Sequence, residues 1–291
     1  MRKVILVLTI LSFASEAQEL STPSQKEFQG IKFIKDQIIS SPKDLKKIFL
    51  YPIKNTKETA LFSAISLGLI ISDKVTTDFV QDRINPIFDF RLQSLDYLSG
   101  KSTISSDVQF LFSGLLALYG GSVITKSQRG QVAAVLSTKA MIYSYIYSHL
   151  FLKSIFGRSR PNPDLDNPIG GVYTSNRFDF GNIHRPYFSS RSEFTGFPSF
   201  HFTMTFAVAK TLHRVYEFNS IPYILTSIIL LQDFQAHNHW VSDMVGGALI
   251  GTMIGNLVAD NYFDSIREDN KMSFLPLIGD GFQGLSLSVK F

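Results

Sequence analysis

Six apolar stretches, at about 58–72, 107–125, 131–156, 202–217, 221–234 and 242–260, limit what this chain can fold into. None alternates with period two, so none reads as a half-buried strand, and each is long enough for several helical turns. The run "GGALIGTMIG" places Gly246, Gly247, Gly251 and Gly255 at spacings that let one helix backbone press against another. The expected fold is therefore all-α, a six-helix bundle over 58–262. A polar, partly helical arm at 18–57 precedes it, with Ser41 as the N-cap and Pro42 at the first position of a helix. The C-terminal tail is 263–291, and within it 273–291 alternates around Gly-Asp-Gly and reads as a short β-hairpin.

Hydrophobic residues make up 45% of the 291 and charged residues 18%, a balance that suits association with a membrane. A spanning helix needs about 20 apolar residues. The stretches 58–72 and 221–231 fall short of that, and 131–156 contains Lys139 and His149. The number of crossings is thus left open. The first residues, "MRKVILVLTILSFASEA", have a basic start, an apolar run and small residues at Ser15 and Ala17. This is the layout of a signal peptide over 1–17, which would place the mature protein in the cell envelope, membrane-associated or periplasmic. The net charge of +4 is spread along the chain, which argues against a nucleic-acid partner. With no cysteine, disulfides, thiolate catalysis and cysteine-ligated zinc are excluded.

Three short polar groups sit at the ends of apolar helices. In "KSIFGRSRP", Lys153 and Arg160 are seven residues apart, which on a continuous helix would put them on one face, able to share an anion. In "PSFH", the N–H of Phe200 lies at a helix start, where backbone donors bind phosphate oxygens. Ser199 adds a hydroxyl there, and His201 adds a group able to protonate a leaving oxygen. In "HNHWVSD", His239 and Asp243 are four apart, so the carboxylate can reach the ring, fix its tautomer and raise its nucleophilicity. Each group alone has a bland reading as a solvated helix end or a chance pair. Their order, each at the edge of an apolar helix, gives them weight together.

The pattern Lys-x6-Arg-Pro, Pro-Ser-x-His, His-x3-Asp resembles the type 2 phosphatidic acid phosphatase superfamily, which also includes bacterial acid phosphatases and vanadium haloperoxidases. The resemblance implies a helical bundle whose helix ends build a phosphate pocket, with no metal or other cofactor required. By carry-over His239 would be the nucleophile, Asp243 its orienting carboxylate and His201 the general acid. Lys153, Arg160, Ser199 and the N–H of Phe200 would hold the phosphate oxygens. The expected activity is hydrolysis of a phosphomonoester or pyrophosphate through a phosphohistidine. A phosphorylated lipid is the favoured substrate, a small soluble phosphoester the other, and the loop 161–197 the expected substrate lid.

Two positions depart from the family pattern. Phe200 stands where glycine is usual, so its ring must turn away from the anion. Asp233 stands where the third motif usually has arginine. A lost charge-assisted bond of about 1.5–3 kcal/mol would weaken transition-state binding roughly ten- to a few-hundred-fold. Arg158, Arg185 or Arg191 would have to compensate, Arg158 being nearest the motif, or Asp233 would have to point away. A cation site of Asp233, His237 and His239 is disfavoured, since His237 and His239 face opposite sides of a helix. The rival readings are a catalytically degenerate member that binds anionic lipid or acts as an envelope scaffold and, last, a vanadate-dependent haloperoxidase.

Overall fold

The computed structural model describes residues 30–87, 105–162, 171–188, 193–217, 220–235, 239–279 and 282–289, with backbone alone at 106, 228–229, 231–235 and from 268 onward. The signal-peptide segment lies outside these residues. The order is α1 (Gly30–Lys54), α2 (Thr56–Phe79), α3 (Ser106–Ile124), α4 (Gln128–Ser144), β1 (Arg160–Pro161), β2 (Tyr173–Thr174), α5 (Phe200–Tyr216), α6 (Ile221–Gln235), α7 (Val241–Lys271), β3 (Met272–Gly279) and β4 (Phe282–Val289). Helix α2 runs on through π and 3-10 turns to Ile87, and α4 continues as a π-helical stretch, Tyr145–Leu152, into a last turn, Lys153–Phe156. β3 and β4 form the antiparallel hairpin expected of the tail, with Met272 opposite Val289 and Gly279 opposite Phe282.

Helices α2 to α7 are the six expected from the apolar stretches, and the architecture is all-α. The added helix is α1. It starts at Gly30 and passes through Pro42, so Ser41 is an interior residue and not an N-cap. The Ser41 hydroxyl instead donates back to the carbonyl of Gln37 at 2.9 Å. Proline costs a helix one backbone bond, and tertiary packing offsets that loss. Ile48 is fully buried in the main core beside Leu136 and Ile254. Asp44 pairs with Lys139 of α4 at 2.6 Å and accepts from Asn261 of α7 at 2.9 Å. Lys139, the charge inside an apolar helix, is thereby neutralised, as buried charges must be.

α5 and α7 form the closest pair. Gly247, Gly251 and Gly255 lie one helical turn apart and face Ser199, Thr203 and Ala207, spaced the same way on α5. A Cβ at Gly251 would lie 2.2 Å from the Thr203 carbonyl, and one at Gly247 would lie 2.5 Å from that of Ser199. The two backbones therefore touch, and their N-terminal ends are held side by side.

α2 is oriented inside out. Ile71 and Val75 are 62% and 72% exposed, whereas Asp73 and Thr77 are 0% and 2% exposed. Water would favour the reverse arrangement, and a lipid surround favours this one. Among the described residues, three helical stretches are long and apolar enough to cross a membrane: Thr56–Ile87, Asp107–Ile124 and Val241–Arg267. The first is 32 residues long and continues past the apolar run 58–72 visible in sequence, with Asp73, Thr77, Gln81 and Asn85 buried on its inner face and Lys74, Asp78, Asp82 and Arg83 exposed.

A side chain at Gly251 should separate α5 from α7. Gly251→Val should destabilise the purified chain by about 1–3 kcal/mol in denaturant unfolding, the cost of overpacking. Gly68→Val on α2, where a Cβ meets nothing within 4 Å, should change stability by less than about 0.5 kcal/mol.

Candidate active site

The site is built where α4 ends. Gly157 closes that helix in the left-handed region (φ 48°), and a Cβ there would lie 2.1 Å from the Asn182 carbonyl. The chain then runs as a strap under the loop that follows. Ser159 N–H donates to Asp179 O at 3.1 Å, Arg160 N–H to Val172 O at 3.0 Å, and Gly196 N–H to Arg158 O at 2.9 Å. The described part of the loop expected as a lid is thus tied down as a wall of the site. Lys153 and Arg160 do not share a helix face, because the helix stops at Phe156. They meet through Thr195 instead. Lys153 Nζ donates to the Thr195 carbonyl at 2.8 Å, and Arg160 Nη2 to its Oγ1 at 3.1 Å.

Ser199 precedes the first turn of α5 in extended conformation. Its N–H donates to the Asp243 carbonyl at 2.9 Å, which fastens the start of α5 to the start of α7. Its hydroxyl is buried and has no hydrogen-bond partner among the described residues. The Phe200 ring packs against the rings of Tyr145 and His149 and onto the cluster of Leu111, Leu115, Met204 and Val208, which leaves its N–H in the first helical turn. Burial and the nearby Lys153 push His149 down to about 3, so it stays a neutral packing group. His201 Nε2 lies 3.2 Å from Ser105 Oγ and 3.7 Å from Asp107 Oδ2, at the start of α3.

His239 and Asp243 take the i, i+4 geometry expected of them, with Nδ1 3.5 Å from Oδ2. Arg160 Nη1 is 3.5 Å from the other ring nitrogen, Nε2. Asp243 Oδ2 also accepts from the Trp240 N–H at 3.0 Å, the reach-back bond of a helix cap. Its Oδ1 accepts from Arg158 Nη1 at 2.6 Å. Arg158 has no exposed surface. Its Nη2 donates to Asp73 Oδ2 at 2.8 Å and to the Arg177 carbonyl at 2.6 Å. The rings of Phe180 and Trp240 cover the guanidinium, with centroids at 4.5 Å and 5.2 Å. Both terminal nitrogens are therefore committed, and Arg158 acts on the site through Asp243.

The other positions weighed as replacements divide differently. Arg185 is solvent-exposed. Asp233 is on α6, but its side chain lies outside the described residues, as do Arg191 and His237. Three residues of the site, Asp73, Asp107 and Thr195, escaped the sequence reading. Asp73 carried a signal there, a carboxylate in the second half of a long apolar helix. Thr195 carried none.

If Arg158 supports Asp243 and does not contact the anion, its loss should act on stability first. Arg158→Met should lower unfolding free energy by about 3–5 kcal/mol, because two buried carboxylates lose their counter-charge. Arg160→Met should leave stability within about 1 kcal/mol while weakening inhibition by orthophosphate or vanadate.

No curated protein and no solved structure matches the chain. Residues 132–267 match the family model described as PAP2 superfamily. The matched segment runs from α4 into α7 and contains Lys153, Arg160, Ser199, His201, His239 and Asp243, while α1, α2 and α3 precede it. That segment is similar to the PAP2 superfamily.

Proposed function

We propose that the protein is a metal-independent phosphatase that hydrolyses a phosphomonoester or pyrophosphate, most suitably of a lipid, through a phosphohistidine intermediate. Similarity to the superfamily points to phosphatase-type chemistry on phosphoesters. The observation that carries the reading is the His239–Asp243 pair with Arg160 beside the free face of the ring. Asp243 holds the proton on Nδ1, so the Nε2 lone pair faces the cationic side. Nε2 attacks phosphorus, the bond from phosphorus to the leaving oxygen breaks, and His201 supplies the proton that oxygen takes. His201 then takes a proton from water as it attacks the phosphohistidine, the P–N bond breaks, and orthophosphate leaves. Lys153, Arg160, the Ser199 hydroxyl and the Phe200 N–H would carry the charge on the equatorial oxygens, which is most of what phosphoryl transfer asks. The unpartnered, buried Ser199 hydroxyl suits that task.

The inside-out α2 and the three apolar stretches support a lipid substrate met at a membrane. Export to the cell envelope rests on the N-terminal sequence. A second reading, a degenerate member that binds anionic lipid without hydrolysing it, is favoured by Asp233 together with the commitment of Arg158 to Asp73 and Asp243.

The test is phosphate release without added metal from phosphatidate, polyprenyl pyrophosphate, a lipid A-type phosphate and a soluble phosphoester. Turnover of at least one, reduced roughly a thousandfold or more by His239→Ala, is expected of a covalent nucleophile. Failure on all four, with turnover gained by Asp233→Arg, would give the lead to the degenerate reading. In an active chain Asp107→Asn should lower kcat about tenfold. It should also move the alkaline limb of the profile to lower pH, because the carboxylate favours the protonated His201 that donates to the leaving group. An unchanged alkaline limb would remove Asp107 from the reaction.

A further inference from the structure

We infer that Asp73, on α2 and outside the segment matched to the family, is a positioning residue for the His239–Asp243 pair, setting through its negative charge how readily His239 becomes a cation. This inference rests on the proposed phosphohistidine chemistry for its purpose, but not for its test.

Asp73 is fully buried, and it is not there for packing. Oδ1 accepts from the Ser242 N–H at 2.9 Å. Oδ2 accepts from Arg158 Nη2 at 2.8 Å and from the Ser242 hydroxyl. One turn further along α2, Thr77 Oγ1 accepts from the Val241 N–H at 3.3 Å. The first N–H groups of α7 have no partners within their own helix, and α2 supplies partners for two of them from outside. The chain thus fixes the start of the helix that carries Asp243 from two sides, by Ser199 on α5 and by Asp73 and Thr77 on α2.

The charge count gives the second half of the argument. Arg158 is held between Asp73 on Nη2 and Asp243 on Nη1. Two carboxylates against one guanidinium leave the cluster at −1. It is sealed by Phe180 and Trp240. Among the described residues, Asp243 stands at one nitrogen of the His239 ring and Arg160 at the other. Arg158 and Asp73 stand one contact further back. When Nε2 attacks phosphorus the imidazole gains positive charge, and the −1 cluster offsets it. With Asp73 neutral, Arg158 and Asp243 would cancel, and His239 would face Arg160 with no net counter-charge behind it.

Asp73→Asn separates charge from shape, since an amide oxygen can still accept from Ser242 and Arg158. The full-length chain in detergent, with isotope-labelled histidine, would be titrated by NMR. The His239 signal is identified by its loss in His239→Gln. His239 should titrate about one unit lower in Asp73→Asn than in the unmodified chain. Titration superimposable in the two chains would overturn the inference. So would an unchanged titration in Asp73→Ser, the second neutral variant, should Asp73→Asn not fold. Neither readout needs turnover. A chain that releases no phosphate sinks the phosphatase reading while the titration still decides on Asp73. A chain that hydrolyses, loses activity with His239→Ala and titrates identically with Asp73→Asn sinks only the role of Asp73. In an active chain the same variant should lower kcat about tenfold and move the acid limb of the profile down with the His239 titration, with little change in KM.

Discussion

A guanidinium with no exposed surface, Arg158, holds together parts of the chain that are distant in sequence. Its nitrogens reach Asp73 on α2, Ser242 and Asp243 on α7, and the Arg177 carbonyl in the loop. Burying a charge is costly unless every donor is answered, and here both terminal nitrogens are answered by groups that could not otherwise be close. Arg158 also belongs to the strap that carries Arg160. The position of Arg160 and that of the carboxylate behind His239 are therefore set by one buried cation. Gly157 makes this possible, since the strap can turn under the loop only where a side chain is absent.

The second constraint is the contact of α5 with α7. Three glycines on one and small residues on the other bring the backbones together, so that the Asp243 carbonyl receives the Ser199 N–H. This fixes the relation between the two chemical groups. His201 leaves the first turn of α5, and His239 enters just before α7. Neither histidine depends on a flexible side chain to find the other's neighbourhood, because the helix ends that carry them are bonded to each other.

Much of this was legible in the sequence. Helices α2 to α7 follow from apolar runs without period-two alternation, and the glycine spacing marked the tight face of α7. His239 and Asp243 could be paired from their spacing, although His239 lies just before α7 and the helix-cap turn at Trp240, not a continuous helix, brings the ring to the carboxylate. What could not be read shares a physical cause. Asp73, Asp107 and Thr195 are joined to the site by contacts that skip 85 or more residues, or that depend on the path of a loop, and no local period encodes them. α1 was seen only as a partly helical arm, because Pro42 and Pro52 break the usual signal while its support comes from Asp44, Lys139 and Asn261 across the fold. The expected common helix face of Lys153 and Arg160 does not form, because the helix stops at Phe156. Their meeting point is Thr195, not a common helix face.

The inside-out character of α2 and the polar site are two sides of one arrangement. Along the apolar stretch of α2, where Ile65, Leu67 and Ile71 face outward, a carboxylate can be kept only on the inner face, and only with a partner waiting there. Asp73 finds Arg158 and the open end of α7, so the helix that most needs lipid outside is the one that brings a charge to the support of His239. Under the proposed chemistry, Lys153 and Arg160 would be the cations facing a doubly charged phosphate, and they are few. The helix start at Ser199 and Phe200 adds N–H and hydroxyl donors without adding charge. A site built so relies more on oriented donors than on counter-ions. In such a site the field behind the nucleophile matters more, because fewer cations in front can stabilise the transferring group.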